Sequence, residues 1–177
     1  MASSSSAFFQ IKLFAEQQEG AATAESGTPA GSQSNAGALS ALLENATGGR
    51  RWTEGQASGN IDRVFYNEYT VGSTETDSYD VLAAGSLLDL LGQAIDLDEL
   101  KVLVVKCTSG SIQIAAPAAN FLGIFADATD LINFTSGQTV AFDFGAAGLA
   151  IGTDSKFDII ETASSTAAYS IAFIGSN

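Results

Sequence analysis

Leu100-Lys101-Val102-Leu103-Val104-Val105-Lys106-Cys107 is aliphatic and β-branched and runs straight into the turn signal Ser109-Gly110. A short apolar run of this kind, bounded by turn residues, reads as a long buried strand. Directly beyond the turn, 111–115 reads as a second strand, and Pro117 ends it because proline cannot donate to a sheet ladder. A strand, a tight turn and a strand make a β domain the starting expectation.

The same texture extends in both directions. Upstream, Val64-Phe65-Tyr66-Asn67-Glu68-Tyr69-Thr70-Val71 is aromatic and β-branched and predicts a strand. A turn over 72–76 and a shorter strand over 78–82 follow, then a small helical turn over 87–91 capped by Gly92. Downstream, strands are expected over 121–125, 131–134, 139–144, 149–151, 157–161 and 168–174, with Ser136-Gly137 as another turn. Eight to ten short strands at fairly even spacing, without helices of 10–15 residues between them, point to an all-β fold. The expected architecture is an antiparallel β-sandwich or jelly roll.

The texture changes near Asn60. Gly, Ser and Ala supply 29 of the first 60 residues, which predicts an extended arm (1–60) joined to the β domain (61–177). Within the arm, Phe8, Phe9, Ile11, Leu13 and Phe14 form one apolar piece. Residues 16–35 have linker composition, too poor in large apolar groups to offset their ordering entropy. Over 38–46, Leu39, Leu42 and Leu43 then fall at helical spacing, and Ser40 and Gly48-Gly49 suit the ends of a helix of about two turns. A helix that short is marginal alone and needs a surface to pack on. Arg50, Arg51 and the chain's single tryptophan, Trp52, follow, and Trp and Arg are enriched at interface hot spots.

Charge divides unevenly. The chain carries a net −13, and residues 61–177 hold fifteen acids against four bases. So acidic a surface is repelled by phosphate backbones, so no nucleic-acid partner is expected. No run approaches the ~20 apolar residues of a membrane span, and the start lacks the basic residues of a signal peptide, so no membrane partner is expected. Cys107 is the lone cysteine, so no intrachain disulfide can form, and synthesis in a reducing cytoplasm is expected.

Apparatus for chemistry is sparse. There is no histidine, the commonest general acid–base residue and the usual activator of a catalytic thiol. Cys107 reads as a small buried hydrophobe. Glu68, Glu75, Asp77 and Asp80 are close in sequence, but nothing marks two of them as a dyad. Asp96-Leu97-Asp98-Glu99 lacks EF-hand spacing and reads as an acidic loop facing water, and Asp127-Ala128-Thr129-Asp130 reads as a turn held by Asx hydrogen bonds. Gly145-Ala146-Ala147-Gly148 has no lysine and no strand-to-helix context, so it reads as a tight connection between strands. No catalytic residue, cofactor or metal site is expected, and the chain is not expected to be an enzyme.

Phe9-Gln10-Ile11-Lys12-Leu13-Phe14-Ala15-Glu16 is similar to the "LQLFAE"-like start of many structural proteins of tailed bacteriophages. The stretch from Tyr69-Thr70-Val71 through 100–106 to Ile174-Gly175 resembles the small β-sandwich proteins that decorate or cement phage heads. The resemblance implies a homo-oligomer, a homotrimer at a threefold or quasi-threefold site, that binds the major capsid protein on the virion exterior after synthesis in the host cytoplasm. Phe8, Phe9, Ile11, Leu13, Phe14, Leu39, Leu42, Leu43, Arg50, Arg51 and Trp52 would then be the docking residues. The alternative is a receptor- or carbohydrate-binding module of a tail or cell surface, with Tyr66, Tyr69 and Tyr79 exposed on a concave face.

Overall fold

In the computed structural model, residues 60–83, 87–89 and 92–177 are described. Their nine strands are β1 (Arg63–Val71), β2 (Thr76–Asp80), β3 (Glu99–Ser109), β4 (Ser111–Ala115), β5 (Leu131–Thr135), β6 (Thr139–Asp143), β7 (Leu149–Ala150), β8 (Lys156–Glu161) and β9 (Ala167–Ser176). All strand pairs are antiparallel. One sheet has the order β1-β9-β3-β6, with β7 on β3, and the other has the order β2-β8-β4-β5. The two-residue β7 is a minor addition to β3. Without it, the remaining eight strands are dealt between the two sheets in jelly-roll order, each sheet alternating early and late strands of the chain. The fold is therefore all-β, and no helix occurs among the described residues.

Period-two alternation builds the core. Phe65 and Val71 of β1, Leu103, Val105 and Cys107 of β3, and Tyr169, Ile171 and Phe173 of β9 meet Tyr79, Ile112, Ile114, Phe134, Phe157 and Ile159 of the other sheet. Phe65 stacks on its cross-strand partner Phe173 at 4.5 Å, and Tyr79 stacks on Phe157 at 5.0 Å. Such pairs add roughly 0.5–1.5 kcal/mol beyond their buried area. The long loops close the ends of the sandwich, sending Val81, Ile95, Leu97, Leu122 and Phe125 into the same core.

Three local expectations change. Residues 87–89 and 92–94 are not helical: Leu88 bridges Ala94 antiparallel, and Asp89 closes the turn by accepting from the Gly92 and Gln93 amides. Gly92 has a φ of 81°, so the left-handed geometry read from it serves a hairpin rather than a helix cap. Residues 121–125 are not a strand. Phe121 makes one parallel bridge to Lys156, and a turn joins the Phe125 amide to the Leu122 carbonyl. Leu122 and Phe125 are apolar because they plug the core from a loop. The second strand also sits two residues earlier than the expected 78–82. The Asp80 carboxylate accepts from the Leu82 amide and thereby bends the chain out of the sheet.

Candidate functional site

Tyrosines and carboxylates are the chemically richest groups among the described residues, and the fold turns the tyrosines inward while most carboxylates keep contact with water. Tyr79 of β2 and Tyr169 of β9 face each other from opposite sheets, their hydroxyls 2.6 Å apart. The Tyr169 hydroxyl donates to Asp77 Oδ2 at 2.6 Å, so Tyr79 is the donor in the tyrosine pair. Tyr69 of β1 lies against both rings, at 6.1 and 5.8 Å. Burial, above all, pushes both hydroxyls well above the ordinary tyrosine range, and for Tyr169 the neighbouring Tyr79 and Asp77 add to it. This is a buried polar tie between sheets.

That arrangement corrects the recognition-face expectation. Tyr79 and Tyr66 are buried and Tyr69 is half-buried, so the three do not form an exposed aromatic platform. Tyr66 donates to Glu68 at 2.5 Å, and burial together with that carboxylate raises its pKa to about 12. Tyr169 was not singled out in the sequence, because its partners lie some ninety residues away.

The four acids close in sequence are dispersed by the fold. Glu68 serves Tyr66, Asp77 serves Tyr169, and Glu75 accepts from the Gly72 amide in the β1–β2 turn. Asp80 is bonded by Ser155 at 2.7 Å and faces Lys156 at 3.6 Å. Burial works against its charge, but the bonds from Ser155 and Leu82 and the Lys156 ammonium outweigh it and hold the carboxyl below its ordinary range. Asp127 accepts from the Thr129 amide, and Asp130 from the Ala126 amide, as the Asx-turn reading expects. In 96–99, Asp98 is exposed but Glu99 belongs to β3 and pairs with the buried Lys101. Among the described residues, no three of His, Cys, Asp and Glu gather closely enough to hold a metal ion. Burial pushes the Cys107 thiol up, as befits a core side chain.

Two features were not read from the sequence. Glu161, at the end of β8, accepts from the backbone amides of Thr74, Ala163 and Ser165, so one carboxylate ties together two loops. Burial opposes its charge, yet these amides hold its pKa below the ordinary range. Lys101 occupies the bulge where β3 shifts register against β9, and its ammonium donates to the Ala147 carbonyl at 2.8 Å and to Glu99. The short 145–148 connection is thereby fastened to β3, in keeping with its reading as a tight link between strands.

The outer faces of the two sheets differ. On the β2-β8-β4-β5 sheet, Ser78 pairs with Asp158 and Gln113 with Asn133, polar residues that meet water. On the β1-β9-β3-β6 sheet, register aligns Val64, Ile174 and Val102 in one row and Tyr66, Ala172 and Val104 in the next. Val102, Val104, Ala172 and Ile174 are 0% exposed, yet none of them belongs to the inter-sheet core. Glu68, Lys106, Ala141 and Asp143 around them are exposed.

The candidate docking residues Phe8, Phe9, Ile11, Leu13, Phe14, Leu39, Leu42, Leu43, Arg50, Arg51 and Trp52 lie outside the described residues.

No family model matches the chain, and no curated protein matches it in sequence. Among solved structures, a Cupin_2 domain of an XRE family transcriptional regulator from Enterobacter cloacae is similar at a TM-score of 0.37 and 10% identity, over 65% of this chain and 83% of that one. A chain of the disulfide-linked pili that are Bacillus endospore appendages is similar at 0.32 and 10% identity, over 71% and 98%. The Tobacco streak virus coat protein is similar at 0.27 and 10% identity, over 63% and 86%. At these TM-scores none of the three adds to what the strand order already establishes.

Proposed function

We propose that the chain is a structural virion protein that decorates or cements the outer surface of a tailed-phage capsid. The observation that carries this reading is architectural: a jelly roll whose buried tyrosines, with acids such as Asp77 and Glu161, are spent on its own turns and sheet-to-sheet ties follows a long arm of small residues. A cementing protein requires a stable module, a segment that grips neighbours, and no chemistry. The apolar piece at Phe8, Phe9, Ile11, Leu13 and Phe14 supplies the grip. An arm that orders on binding can cover a wide surface at an entropic cost, and many copies on a symmetric shell offset weak single contacts. The major capsid protein is the partner and a homotrimer at a threefold site is the assembly. The acidic β domain faces outward, away from packaged DNA.

Co-sedimentation with shells assembled from the major capsid protein alone tests this. The full chain is expected to pellet with shells, and Phe9→Ser/Phe14→Ser is expected to stay in the supernatant while remaining folded. Equal pelleting of the two, or no pelleting of the full chain, would contradict the proposal.

A further inference from the structure

We propose that residues 38–52 of the chain form a third layer over the outer face of its own β1-β9-β3-β6 sheet. The Tyr66-Ala172-Val104 row is the centre of that contact. Antiparallel sheets with one wet face are apolar within and polar without, and the β2-β8-β4-β5 sheet obeys this. The other sheet does not. Its central strands β3 and β9 are apolar on both faces, which requires a layer on each side.

Tyr66 makes the case sharpest. It sits on β1, the edge strand of the sheet, and points away from the core. Its lateral neighbour on β9 is Ala172, too short to enclose a phenol ring. An edge-strand tyrosine on an outer face should be open to water, yet Tyr66 is 6% exposed. Most large apolar side chains of the described loops, among them Val81, Ile95, Leu97, Leu122 and Phe125, go into the inter-sheet core instead, and Leu88 stands exposed.

Chain geometry and chemistry name the occupant. The described residues begin at Asn60, three positions before β1, so the preceding segment enters at the edge of this very sheet. Eight residues from Trp52 to Asn60 can span up to about 26 Å when extended. Four strands are only about 14 Å across. Leu39, Leu42 and Leu43 present one apolar stripe and need a surface to be stable. Arg50 and Arg51 are two of the chain's seven bases, and the acids Glu68 and Asp143 stand exposed on opposite margins of the patch. The proposal stands whether or not the chain meets a shell, and it leaves residues 8–15 as the piece free to reach one.

The test is photo-cross-linking in the full chain. A benzophenone amino acid replaces Leu42 in isotopically heavy protein, which is refolded with an excess of light wild-type protein and irradiated. Heavy–heavy cross-links from position 42 to residues 64–66, 102–104 or 172–174 are the expected result. Heavy–light pairs would show that a second copy covers the face, and cross-links elsewhere or none would show that this segment does not; each overturns the proposal. Trp52, as the single tryptophan, gives a second readout. Acrylamide should quench it several-fold less in the folded chain than in the urea-unfolded chain. Leu42→Ser/Leu43→Ser should remove that protection with the β signature of the far-UV spectrum intact, and unchanged quenching would contradict the assignment.

Discussion

The hydroxyls of Tyr79 and Tyr169 meet at 2.6 Å across the interior, one from each sheet, and Asp77 accepts the hydrogen bond that Tyr169 donates onward. Two buried phenols are thereby satisfied in series, and the sheets are pinned in one relative position. Tyr169→Phe leaves the Tyr79 hydroxyl and the Asp77 carboxylate both short of a partner, and an unmet buried polar group costs about 1–3 kcal/mol. Tyr79→Phe removes only the first donor, with an expected loss of about 1 kcal/mol. Urea titration should therefore rank Tyr169→Phe below Tyr79→Phe in stability. The double variant should lose less than the sum, because it no longer strands the Tyr79 hydroxyl.

The same tyrosines set the alkaline limit. Their folded-state pKa values lie above the unfolded value of about 10, so the protonated form is favoured in the fold. Their contribution is fully present below pH ~10 and is lost as pH rises through the folded values, because the unfolded chain releases its protons first. Urea midpoints measured from pH 8 upward should decline gently once the unfolded thiol range is passed, because the buried Cys107 thiol is also raised, and then fall steeply beyond about pH 10. In Tyr79→Phe/Tyr169→Phe the fall should be shallower, leaving mainly the parts due to Tyr66 and Cys107.

At the acid end the sign reverses. Glu161 and Asp80 have folded pKa values below their ordinary ones, so the stability they contribute is present above the unfolded carboxylate range and is lost as pH falls through the folded values. Glu161→Gln cannot offer a charged acceptor to the amides of Thr74, Ala163 and Ser165. It should be less stable at neutral pH and show a flatter decline below pH ~4.5 in the same titration.

Glycine positions separate steric need from convenience. A Cβ at Gly175 would collide with the Glu99 carbonyl and lie 2.8 Å from Leu97 Cδ1, both fixed in the packed end of the sandwich. A Cβ at Gly152 would meet nothing within 4 Å. Gly175→Ala should cost about 3 kcal/mol by overpacking. Gly152→Ala should leave the thermal midpoint nearly unchanged.

Deletion series bear on the outer sheet face. Removal of residues 1–37 should leave the β domain soluble and weak in binding of an apolar dye. Removal of 1–59 would also strip the proposed cover from Tyr66, Val102, Val104 and Ile174, and should raise dye binding and promote self-association. Equal dye binding by the two deletions would argue against that cover.

The β architecture was legible because β3 and β9 carry their burial in composition, and β4, β6 and β8 are bounded by turns. Ser111–Ala115 in particular lies where the Ser109-Gly110 turn and Pro117 place it. Local rules failed where a loop does the work of a strand: Leu122 and Phe125 are apolar to plug a core that the sequence around them does not reveal. They failed again at Gly92, where left-handed geometry closes a hairpin as readily as it caps a helix. The tie among Tyr79, Tyr169 and Asp77 was illegible for a different reason, since it joins strands that only the jelly-roll order brings together. Tyr66 and Tyr79 carry the same side chain whether they bind a ligand or fill an interior, and burial decides between the two.

A reconstruction of shells carrying the full chain, resolved well enough to trace the arm, tests the central claim most directly. The account predicts jelly rolls on the outer surface at threefold positions, with Phe8, Phe9, Ile11, Leu13 and Phe14 seated against the major capsid protein. Density inside the shell or on the tail, or a contact made by the β domain with residues 8–15 away from the capsid surface, would contradict it.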